Sequence, residues 1–171
     1  MNRRSSIYKF IPVIIAFVVV FGTASCSAGS KFTKKSAKVI SSSEDCGVNM
    51  YVVVKGNREI EVNFENKSRF QYIYGSAYSL EYYKDGDWYE VPMDLAFTME
   101  GYILGPAEEF QSDDPDEAKI SDTGSMPVDL TMVGKLPQGH YRIIKEVSAL
   151  DESGSYCYCN YSLAAEFDLE K

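Results

Sequence analysis

The sequence predicts an all-β domain, an antiparallel β-sandwich, preceded by an N-terminal signal helix and a flexible tether. From Gly47 onward apolar residues recur with a period of two rather than 3.6. The runs are rich in Tyr, Val, Ile and Phe, and Gly, Asp and Asn break them at short intervals. Between two such runs sits Asp85-Gly86, a dipeptide that tolerates the positive φ angles of a tight type I′ hairpin turn.

The chain opens with Arg3, Arg4 and Lys9 flanking the start of an apolar run of 12 residues, Phe10 to Phe21, and then reads Thr23-Ala24-Ser25-Cys26. That run falls short of the roughly 20 residues a permanent membrane-spanning helix needs. The layout is that of a lipoprotein signal peptide over residues 1–25, with cleavage before Cys26 and a diacylglycerol group on its thiol. Thr23 stands where leucine is usual, so two alternatives stay open: secretion after cleavage near Ala28, and an uncleaved anchor. The expected location is the extracytoplasmic face of the cell membrane, with the bilayer as one partner through the lipid.

Removing residues 1–25 from the 171 leaves 146, enough for one domain with a real core. The removed segment holds three of the 17 basic residues and no acids, so 14 basic groups face 25 acidic ones, a net charge of −11. Such a surface repels nucleic acid and anionic headgroups and favours a soluble monomer. Residues 26–45 are Ser-rich and carry Lys31, Lys34, Lys35 and Lys38. They read as a flexible tether reaching about 25 Å. Its lysines serve either as a solubilising linker or as an electrostatic supplement to the lipid.

Residues 46–171 form the predicted sandwich. Tyr51 to Val54 is a first strand, turned at Lys55-Gly56-Asn57. Ile60, Val62 and Phe64 alternate with Glu59, Glu61, Asn63 and Glu65, which predicts a strand with one buried and one wet face. Tyr72, Tyr74, Tyr78, Leu80 and Tyr82 share one parity and are interrupted at Gly75-Ser76, predicting two strands or one with a bulge. The Asp85-Gly86 hairpin follows, and Pro92 stops its second strand. Leu95 to Glu100 reads as a helical turn and Tyr102-Ile103-Leu104 as a short strand. Met126 to Val133 alternates as a strand that Pro127 confines to an edge. Tyr141 to Val147 and Tyr156 to Leu169 make the last pair.

Leu136-Pro137-Gln138-Gly139-His140-Tyr141 matches the loop before a tyrosine corner, with Gly139 supplying the turn and Tyr141 the closing hydrogen bond. Trp88, the single tryptophan, is expected to be partly buried. The block Tyr74-Gly75, Leu80-Glu81, Asp85-Gly86-Asp87-Trp88-Tyr89-Glu90-Val91-Pro92, then Leu136-Pro137 and Gly139-His140-Tyr141-Arg142-Ile143-Ile144-Lys145, resembles a bacterial immunoglobulin-like domain family of Gram-positive lipoproteins and secreted proteins. The resemblance implies an immunoglobulin-like β-sandwich used as a binding or spacer module on the cell surface. It transfers no catalytic residues and no cofactor.

Beyond Cys26, three cysteines are left: Cys46, Cys157 and Cys159. On one strand Cys157 and Cys159 would share a face with α-carbons about 6.5–7 Å apart, at the limit of disulfide geometry. Cys46 is the better partner for either, closing a loop worth about 4–5 kcal/mol in the chain-entropy model. Reduced structural thiols are the alternative, followed by a redox pair or a zinc site drawing on His140, for which the chain has no spare histidine and no CxxC. Asp113, Asp114, Asp116 and Glu117 offer oxygens to calcium without the spacing of a known loop, so they read as a solvated segment. His140, the single histidine, has no nucleophile elbow near it. Tyr82, Tyr83, Trp88 and Tyr89 flank one hairpin and form a candidate patch for an extracellular protein or glycan. The expected protein is not an enzyme. The rivals are an enzyme or peptidase inhibitor acting on cell-wall or secreted substrates, and an accessory subunit of a membrane complex.

Overall fold

Alternation sorts the side chains into two faces, and the computed structural model stacks those faces into a sandwich. It describes residues 32–56, 58–111, 120–151 and 156–170. The signal segment, Cys26 and the acidic residues Asp113, Asp114, Asp116 and Glu117 lie outside the described residues.

A short helix α1 (Ser43–Cys46) precedes β1 (Val48–Gly56), β2 (Glu59–Asn66), β3 (Gln71–Gly75), β4 (Ser79–Lys84), β5 (Asp87–Glu90), β6 (Gly101–Leu104), β7 (Thr123–Asp129), β8 (Gly139–Leu150) and β9 (Tyr156–Leu169). One sheet runs β1-β2-β7; the other runs β5-β4-β8-β3-β6, with β9 along the free side of β8. All of these pairings are antiparallel. Long β8 is the spine of the larger sheet, since its first half pairs with β4 and its second with β3 while β9 follows almost its whole length.

The core lies where the inward parities meet. Ile60, Val62 and Phe64 of β2 face Tyr72, Tyr74, Leu80, Tyr141, Ile143, Val147, Leu163 and Phe167, all buried. Aromatic rings tie the layers together: Phe64 lies 4.4 Å from Tyr74 between centroids. Glu59, Glu61, Asn63 and Glu65 stay on the wet face of β2. The break at Gly75-Ser76 separates β3 from β4, and Pro127 sits on β7, an edge of its sheet, where a missing N–H breaks no inner ladder. Asp85 (φ 52°) and Gly86 (φ 87°) both take positive φ, so the hairpin turn is type I′.

Three stretches differ from the sequence reading. Residues 95–100 contain no helical turn. The strand predicted from Met126 starts at Thr123 and ends at Asp129, whose carboxylate accepts from the Thr131 amide at 2.8 Å. That cap starts a 3-10 turn, Leu130–Val133, and leaves Met132 66% exposed instead of on a strand.

The third difference is the tether. Residues 32–45 are packed on the sandwich, because Phe32 enters the core with 2% exposure. Lys35 bridges to Tyr89 at the β5 edge, with backbone bonds from Glu90 N–H to Lys34 O and Ser36 N–H to Trp88 O. The strap then crosses the outward face. The Ser36 hydroxyl donates to Glu81, Lys38 Nζ donates to the Ser79 hydroxyl at 2.5 Å, and the Ser41 amide donates to Ser162 O at 2.8 Å on the β9 edge. Between those anchors Ile144, outward by parity, is 4% exposed. Lys34 and Lys35 are ion-paired with Glu90 and Asp87 within the domain.

Candidate functional site: an outward aromatic face

The hairpin divides its four aromatic residues by parity. Cross-strand partners share a face and successive residues alternate. Tyr82 pairs with Tyr89, and Tyr83 with Trp88. Tyr82 turns inward, 5.4 Å from Phe32 and 5.1 Å from Tyr141 between ring centroids, and Tyr89 packs against the core. The patch expected of all four is therefore carried by Tyr83 and Trp88 alone, with centroids 5.0 Å apart. Tyr83 is 43% exposed and Trp88 half-buried.

What holds these rings comes from β8, β4 and β9. The Arg142 guanidinium stacks over Trp88, 4.4 Å from the ring centroid. Its Nε and Nη2 donate to one oxygen of Glu81, at 2.7 and 2.5 Å. Glu81 is 0% exposed, although its parity points outward, because the strap covers it and the Ser36 hydroxyl donates to its other oxygen. Paired and shielded in this way, Arg142 has one geometry to offer Trp88.

His140 closes the other side. Its ring meets Tyr83 edge-on at 5.9 Å and Trp88 at 5.6 Å. Nδ1 lies 2.9 Å from Asp168 and Nε2 2.9 Å from Glu166, the outward residues of β9. The hydrogen bond to Asp168, then that to Glu166, raises the imidazole above its ordinary pKa of 6.5. The result is an aromatic pair framed by a cation and two exposed carboxylates.

The remaining candidate residues lie elsewhere. The Tyr141 hydroxyl donates to Pro137 O at 2.6 Å, closing the corner. Gly139 has φ 145°, and a Cβ there would stand 2.6 Å from Tyr82 Cε2. Cys46 is a buried free thiol and Cys159 an exposed one, at the far end of the larger sheet. Cys157 lies on β9, and its side chain is outside the described residues. Among the described residues no group of His, Cys, Asp and Glu could hold a metal ion.

Sequence reasoning missed the roles of three charged residues. Glu81 and Arg142 sit on adjacent strands at facing register, and only the unrecognised strap buries the pair. Lys145 occupies an inward position, 1% exposed. Its ammonium group donates to Gly75 O and to Ala77 O, the latter at 2.8 Å, across the β3–β4 connection. Burial lowers its pKa to about 8. The signal was present in the alternation: Lys145 shares parity with Tyr141, Ile143 and Val147.

Compared with known proteins, residues 47–168 match the family model of the bacterial Ig-like domain. None of the curated proteins compared with the chain matches it. The matched stretch starts after Cys46, so Phe32 and the strap lie before it.

Proposed function

The chain belongs to the bacterial Ig-like domain family, and from that premise we propose that it is a lipid-anchored extracytoplasmic protein whose sandwich is a non-catalytic binding or adhesion module on the cell surface. The family is typically non-catalytic. The anchor is the thiol of Cys26, and the contact face is Tyr83 with Trp88, met by an extracellular protein or glycan.

The observation that carries this reading is the fixing of Trp88 from two sides, by Arg142 at 4.4 Å and by His140 at 5.6 Å. An exposed aromatic pair already immobilised loses little rotamer entropy on contact, which is what a contact surface needs. Only residues 27–31 separate Cys26 from buried Phe32. Even fully extended they reach about 20 Å, so the domain sits close to the bilayer.

Two measurements test it on intact cells. Labelling with a radioactive fatty acid should mark the wild type and leave Cys26→Ala unmarked. Recovery of cross-linked partners and of cell-wall polymer should fall in Tyr83→Ala/Trp88→Ala and persist in Phe70→Ala, an exposed aromatic elsewhere on the surface. Label on Cys26→Ala would remove the anchor; equal recovery with all variants would remove the contact face.

A further inference from the structure

We propose that Cys46 and Cys159 are a thiol pair that an extracytoplasmic disulfide oxidant converts into a cross-link between α1 and the start of β9. Cys46 ends α1, and Cys159 is the fourth residue of β9. Both line one pocket of about 380 Å³, together with Gly47, Tyr72, Ala149 and Tyr161. A short chain of contacts brings them there. The Tyr72 hydroxyl donates to Cys46 O at 2.6 Å, and Tyr72 is the register partner of Ala149 on β8. On the other side of β8, Ser148 pairs with Asn160 and Leu150 with Tyr156.

That register leaves slack. Between its paired positions β8 has Ala149 alone, whereas β9 has Cys157, Tyr158 and Cys159. Two extra residues on one strand make a bulge whose backbone is released from the ladder and can shift without breaking neighbouring pairs. Cys159 therefore has the freedom that a disulfide's narrow geometry demands, while Cys46 stays fixed by its thiol's contacts with the Val48 amide and carbonyl.

The order of chemistry follows exposure. Cys159 is exposed, so the oxidant reaches it first: its sulfur, giving up the thiol proton to solvent, attacks one sulfur of the oxidant's disulfide, releasing a thiolate and leaving a mixed disulfide. Cys46 then loses its proton and attacks the Cys159 sulfur, expelling the oxidant's second sulfur as thiolate. Two electrons and two protons leave the pair, and the oxidant ends as two thiols. Burial raises the Cys46 thiol pKa, which keeps it unreactive toward solution oxidants, and its attack on Cys159 draws on proximity within the shared pocket. The product joins α1 to the last strand and covers the pocket.

The test uses the full chain in detergent, alone and as Cys157→Ser, treated with oxidised glutathione at pH 8, quenched by alkylation and digested without reductant. A Cys46–Cys159 linked peptide in both, with an unfolding midpoint above that of the reduced protein and unchanged in Cys159→Ser, is the expected result. Cys159 held as the glutathione adduct with Cys46 free, a Cys46–Cys157 link in the unsubstituted chain, or an unreacted pair would each overturn it.

Discussion

Phe32 packs its ring 5.4 Å from that of Tyr82, although 50 residues separate them in the chain. This contact places Phe32 inside the folded unit. The segment that looks like linker supplies a core residue and the cover over Glu81, and the unit extends at least 14 residues upstream of Cys46.

Phe32→Ala is expected to destabilise the domain by about 3–5 kcal/mol, as for other fully buried phenylalanines. Phe70→Ala, at a residue 55% exposed, should stay within about 0.5 kcal/mol. Urea unfolding followed through Trp88 fluorescence measures both. Equal, small effects would return residues 32–45 to the status of a linker.

The Glu81–Arg142 pair should respond asymmetrically. Its side chains are 1% and 14% exposed. Glu81→Leu or Arg142→Met leaves a charge with no partner under the strap and is expected to cost about 3–5 kcal/mol. Glu81→Leu/Arg142→Met should cost less than either single change, because no buried charge is left behind. A double-mutant cycle by calorimetry checks the sign of the coupling.

Lys145 and His140 give opposite pH signatures. The folded Lys145 ammonium titrates near pH 8 and the unfolded one near 10.5, so between those values the unfolded chain binds more protons. Stability from this group therefore rises with pH across that window, by about 3 kcal/mol at most, and the rise vanishes in Lys145→Met. His140 is raised in the folded state, so its contribution is complete below pH 6.5 and is lost as pH climbs through the folded value. Asp168→Asn should flatten that loss. Unfolding midpoints across pH 5–10 for the three proteins decide both points.

At the corner, Tyr141→Phe removes the bond to Pro137 O and is expected to cost about 1 kcal/mol. Gly139→Ala should cost more, since it adds both a disfavoured φ and a clash with Tyr82. Reversal of that order in thermal unfolding would show that the corner bond outweighs the turn.

Legibility in the sequence tracked how local the determining interaction is. The period-two strands, the Asp85-Gly86 turn and the edge position of Pro127 depend on neighbours within a few residues, and parity alone exposes them. Splitting the hairpin aromatics into Tyr82 with Tyr89 inside and Tyr83 with Trp88 outside was equally available from alternation. Phe32 was hidden by its context, since a lone apolar residue among lysines and serines shows no period, and its burial depends on an open edge formed by β5 far along the chain. Arg142 and Glu81 carried no local sign that a strap would cover them. Met132 left the strand because one side chain, Asp129, caps a turn that the alternation ignores.

The most direct test of the outward face replaces Tyr83 with a photoreactive phenylalanine in intact cells, beside the same replacement at Tyr51, an exposed tyrosine on the smaller sheet. Irradiation is predicted to give a discrete cross-linked adduct from position 83 and none from position 51. Adducts from position 51 alone, or equal adducts from both, would contradict a contact surface built on Tyr83 and Trp88.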